Sequence, residues 1–125
     1  MDTIVAESAT DLENAIKARS PEMICTAARI LRASAYGAKE CYLGAWTTNE
    51  SDRTRNLLEN ALIVLGEIQN DPGRSEDEKS LSRFSWCRVY SRLADLFPET
   101  AAKYELQAKE CDRIVAERVA AAARE

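Results

Sequence analysis

Four cysteines and no histidine set the limits on what this chain could do chemically. Cys25, Cys41, Cys87 and Cys111 are far apart, with no C-x-x-C pair. Zinc ligands usually come as close pairs, so a zinc site would need all four to converge. Each cysteine sits in a helical pattern beside apolar neighbours, where a thiol packs as a small hydrophobe. A disulfide is a further option, but one rigid helix carrying both Cys25 and Cys41 would hold those two beyond the reach of the bond. The missing histidine removes the Ser-His-Asp triad, the Cys-His pair, the HExxH zinc helix and the Glu-x-x-His ligands of di-iron bundles.

Carboxylates do not fill the gap. A helical magnesium site needs several converging acids, whereas Glu59, Glu67, Glu110 and Glu117 are dispersed. The dense group Glu76, Asp77 and Glu78 reads as the acidic first turn of a helix. Pro72-Gly73-Arg74 is a turn and not a phosphate loop. The expectation is a protein without catalytic residues, bound metal or cofactor.

The stretch RFSWCRVYSR, residues 83–92, interleaves arginines with aromatics. On a helix this alternation separates: Arg88 and Arg92 share one side, Trp86, Tyr90 and Leu93 another. Asp95 follows on the arginine side. A basic solvated face over an apolar stripe therefore accounts for the pattern better than nucleic-acid binding, which the net charge of −4 also disfavours.

These groups must be carried by helices. The 125 residues include 4 Gly and 3 Pro, and good helix formers dominate. No period-2 run long enough for a strand occurs. The fold class expected is all-α: an antiparallel up-down bundle of four long helices plus a shorter N-terminal helix, in one domain spanning 1–125. The helices are placed at about 3–19, 21–47, 51–70, 76–97 and 98–122. The first has the thin stripe Val5, Ala9, Leu12 and Ile16, which suits a marginal position or a partner. Ser20-Pro21-Glu22 starts the second by N-cap, first-position proline and acidic first turn. Its apolar positions Ile24, Ala28, Leu31, Ala35, Ala38, Tyr42 and Ala45 keep phase across Gly37, so one helix of about 40 Å is expected straight through the glycine.

Thr47 and Glu50 have capping-box spacing ahead of the third helix, and Ser75 and Glu78 ahead of the fourth. The third is apolar on more than one stripe, through Leu57, Leu58, Ala61, Leu62, Val64, Leu65 and Ile68, which predicts a central position. The fourth carries Trp86, Val89, Tyr90, Leu93, Leu96 and Phe97 inward. Leu81 and Phe84 point elsewhere, toward the first helix or a partner. Pro98 begins the last helix, with Ala101, Tyr104, Ala108, Cys111 and Val115 as its stripe.

The absence of chemistry-bearing motifs, together with apolar groups beyond the core stripe, predicts a non-enzymatic protein–protein interaction module: an adaptor, an inhibitor or a complex subunit. The candidate contact residues are Leu81 and Phe84, with Arg88 and Arg92 as rim charges, since aromatics and arginines anchor interfaces. The partner would be another protein or a second copy. A different class of function, a bundle holding a small apolar ligand, would use Tyr42, Trp46, Trp86 and Tyr90. No apolar run reaches membrane-spanning length and no secretory pattern opens the chain, so a cytoplasmic location is the expectation.

Overall fold

Short caps and turns punctuate the chain where its sequence calls for them. The computed structural model describes residues 3–41 and 46–124, and every regular element in them is helical. Helix α1 spans Thr3–Ala18, α2 Pro21–Cys41, α3 Thr48–Gln69 and α4 Glu76–Leu96. A single turn, α5 (Pro98–Ala101), leads into a 3-10 turn at Ala102–Tyr104, and α6 spans Cys111–Ala123. Ser20 caps α2: its hydroxyl accepts the Met23 amide at 3.3 Å. The Thr47 and Ser75 hydroxyls each accept the amide of the glutamate three residues on at 3.2 Å. Both glutamates reach back to the capping residue's own amide, completing two capping boxes. The turn before α4 closes on Asp71, whose carboxylate accepts the Gly73 amide at 2.8 Å.

Helix α2 runs through Gly37 without a break. Its packed face is built from Ile24, Ala27, Ala28, Leu31, Ala35 and Ala38, all buried. The expected continuation to residue 47 is not what the chain does. Thr47 has extended backbone (φ −84°, ψ 164°) and belongs to the next helix as its cap, so α3 begins at Thr48, earlier than the residue-51 start expected. Tyr42 and Ala45, the last positions of the expected seam, lie outside the described residues.

Helices α1–α4 surround the core, and cross-links between them give the layout. Ser8 of α1 hydrogen-bonds Ser34 of α2 at 3.0 Å, while Arg53 of α3 reaches Thr10 and Arg19 pairs with Glu67. Consecutive helices therefore run antiparallel, with α1 parallel to α3. Arg32 pairs with Asp95, setting α2 parallel to α4. Around the square the order is α1, α2, α4, α3, so the sequence neighbours α2 and α3 sit largely on a diagonal.

Three positions differ from expectation. Helix α1 is not marginal: it fills the groove between α2 and α3, with Val5, Ala9, Leu12 and Ala15 buried. Helix α3 is not the centre, because its outer side carries Ile63, 54% exposed. The hub is α4, which touches α2, α3, α5 and α6. Its core face can be approached closely because it includes Ser82 and Ser85; the Ser82 hydroxyl donates to the Leu65 carbonyl at 2.7 Å.

The expected fifth helix at 98–122 is interrupted between Tyr104 and Cys111. Tertiary ties override helix propensity here. The Tyr104 hydroxyl donates to Glu59 of α3 at 2.7 Å, and Cys111 is joined to Cys87 of α4 by a disulfide. The stretch between the two ties follows their positions rather than one helical axis.

Candidate functional site

The outer side of α4 gathers the groups singled out in the sequence, but not as one surface. At 100° per residue, Leu81, Arg88, Arg92 and Asp95 fall within about 60° of one another on the side next to α2, Phe84 lies at the margin of that arc, and Cys87 lies further round toward α6. Phe84 lies away from α1 and is half-buried. Helix α6 runs antiparallel along this side, and the Arg118 guanidinium lies over the Phe84 ring at 5.1 Å. Cys87 and Cys111 join the two helices one turn along. Phe84 is thus partly covered by this chain's own C-terminal helix.

Arg88 and Arg92 form no ion pair among the described residues, although Arg32 across from them is paired with Asp95 at 3.2 Å. Burial, then the nearby charges of Arg88 and Arg32, lowers the Arg92 guanidinium below its ordinary pKa. Beside this edge α6 and α4 enclose an open groove of about 890 Å³. Its lining is mostly apolar and small, with Ala94, Ala108, Val115 and the exposed Val119, and it also carries Arg88, Asp95 and Asp112. Sequence reasoning missed the α6 half of this groove. A usable signal was present: Cys87 lies about 160° from Val89, on the side away from the core stripe, and its burial required something to cover it.

The aromatic set weighed for ligand binding separates into two clusters. Trp86 stacks on Tyr90 (centroids 5.7 Å apart) and meets the edge of Tyr104 at 6.5 Å. Trp46 instead packs on Phe97 at 6.3 Å, with Arg55 over the same ring. Tyr42 lies outside the described residues. The rings occupy one another's faces.

Tyr104 carries the clearest electrostatic signature. Burial, reinforced by its hydrogen bond to the Glu59 carboxylate, pushes its phenol up to about 12. Lys103 also approaches Glu59, at 3.7 Å. This arrangement fastens the 3-10 turn to α3. Two hydroxyls, Thr54 Oγ1 and Ser85 Oγ, are buried without a hydrogen-bond partner. Both belong to the helix contacts of the core, where small side chains let backbones approach.

Among the described residues no three or more Cys, Asp or Glu gather closely enough to hold a metal ion. No helix among them is long and apolar enough to cross a membrane. Comparison of the chain with protein-family models, with curated proteins and with solved structures finds no match in any of the three.

Proposed function

We propose that the chain is a non-enzymatic helical interaction module, an adaptor, inhibitor or complex subunit, that engages another protein through the outer side of α4. The observation that carries this reading is the open groove between α4 and α6 beside two arginines that form no ion pair among the described residues. An apolar floor offers burial to a partner's side chains, and half-buried guanidinium groups fit planar carboxylates. Arg88, Arg92 and Leu81 stay in the contact set. Phe84 leaves it while α6 lies over the ring, and Val115 and Val119 enter it. The lack of histidine supports a binding role over a catalytic one, because it removes the usual general base.

The test uses an Arg88→Glu, Val119→Asp double variant beside the unaltered protein. Covalent cross-linking in an extract of the source cells, followed by mass identification, should capture a partner with the unaltered chain. The same partner should be lost with the variant, while both proteins melt within a few degrees of each other. Light scattering over a range of concentrations separates a second copy from a foreign partner. Capture of the same protein at undiminished yield by the variant would remove the groove from the account.

A further inference from the structure

We propose that the Cys87–Cys111 disulfide is a redox-operated latch: closed, it holds the C-terminal helix on α4; opened by a dithiol, it releases residues 105–125 and bares Phe84 and the outer side of α4 while the bundle stays folded.

The reasoning begins with what holds α6. No residue of the helix is fully buried, and among the described residues α4 is the one element it contacts more than marginally. Its non-covalent grip consists of half-buried Cys111, Ile114 and Val115 and the Arg118 guanidinium over Phe84. Val119 is 60% exposed, and the remaining positions are alanines or charged groups in solvent. Such an interface is small compared with the contacts of α1–α4, which bury Leu12, Ile24, Leu31, Leu58, Leu62, Leu65 and Leu93 completely. The disulfide is therefore the principal tie of this helix.

The boundary of the releasable part is also built in. Upstream, Ala101 is buried and Tyr104 is fastened to Glu59, so the turn after α4 stays on the bundle. Residues 105–110 form a run of turns without regular helix, a natural hinge. Local opening of this kind draws on regions with few buried contacts.

The chemistry balances as ordinary thiol–disulfide exchange. A dithiol reductant attacks as its thiolate at the Cys111 sulfur, the more exposed of the two residues. The S–S bond breaks, Cys87 leaves as a thiolate and takes a proton, and a mixed disulfide joins Cys111 to the reductant. The reductant's second thiol closes its own ring and frees Cys111. Two electrons pass from the dithiol to the protein, giving two cysteine thiols and one cyclic disulfide. In reducing compartments, disulfides that do form are mostly transient or sensing ones, and release of α6 requires no partner.

Limited trypsin digestion of the full chain tests the latch. Lys109, Arg113 and Arg118 lie in the releasable part. Reduction with dithiothreitol should speed cleavage there roughly a hundredfold, the effect expected from opening a loop whose ends are 24 residues apart. Sites in α1–α4 should stay resistant, and reoxidation should restore protection. A Cys111→Ser variant should be cut at the fast rate without any reductant, whereas Cys25→Ser should behave as the unaltered chain. The proposal is overturned if thiol counting shows the bond fully reduced and cleavage at those sites rises less than threefold. It is equally overturned if reduction, or Cys111→Ser, opens α1–α4 at the same rate as α6, since the bond would then hold the whole fold.

Discussion

The first and last helices carry equally thin apolar stripes, yet they end in opposite situations. Helix α1 offers Val5, Ala9, Leu12 and Ala15, and all four are buried. Helix α6 offers Cys111, Ile114 and Val115 and buries none of them completely. The difference lies in how many neighbours each stripe meets. Helix α1 lies in the groove between α2 and α3, and α2 presents alanines that let it come close. A narrow stripe closed over from two sides is removed from water entirely. Helix α6 rests on α4 from one side, so each of these side chains keeps part of its surface in water and a covalent bond supplies what burial does not.

Substitutions in the two helices should expose that contrast most strongly. Leu12→Ala removes a side chain that is 0% exposed, and should cost about 3 kcal/mol in urea unfolding. Val115→Ala on half-buried α6 should cost less than about 1 kcal/mol in the oxidised protein. Similar losses at the two sites would break the comparison.

The tie just upstream of α6 gives the next effect. Tyr104→Phe removes the hydroxyl that Glu59 accepts and should cost about 1.5 kcal/mol, the scale for a hydrogen bond to a charged group. Because the folded phenol ionises only at about 12, against 10.0 ordinarily, folding favours the neutral form. That contribution is complete below pH 10 and is lost as pH rises toward 12. Denaturation followed across that window should show a fall in stability that Tyr104→Phe lacks. Spectroscopic titration of tyrosinate should find one residue ionising above the ordinary phenol range.

Smaller effects sharpen the picture of α1 and α2. Gly37→Ala should stabilise by up to about 1 kcal/mol, because the glycine is helical and a Cβ there would meet nothing within 4 Å. Arg19, just past the end of α1, has φ of 52°, a conformation glycine adopts freely. Arg19→Gly relieves that strain but gives up the exposed ion pair with Glu67, so a net gain of about 0.5 kcal/mol is expected in thermal unfolding.

The elements fixed by local rules were legible in the sequence. Both capping boxes, the Ser20-Pro21 start and the passage through Gly37 follow from side chains acting on their own helix. Features depending on which helix meets which were not legible. Nothing local tells that α2 and α3 lie on a diagonal, that α1 fills a groove, or that α4 and not α3 is the hub. At the candidate site, helical phase alone puts Leu81, Arg88 and Arg92 on one face of α4. The partial cover over Phe84 is not legible, because helix propensity runs unbroken through 98–122 and gives Cys87 and Cys111 no reason to meet. Their pairing depends on the interruption at 105–110, a tertiary effect that propensity does not contain.

The central claim is that α1 belongs to the cooperative core while α6 is an attachment to it. Native-state hydrogen exchange on the oxidised full chain addresses this directly. Amides around Leu12 and Ile16 should exchange only through global unfolding, with a denaturant dependence matching that of the whole protein. Amides around Val115 and Ala116 should exchange by local opening, at least about a hundredfold faster and nearly independent of denaturant. Equal protection and equal denaturant dependence in the two helices would contradict the account.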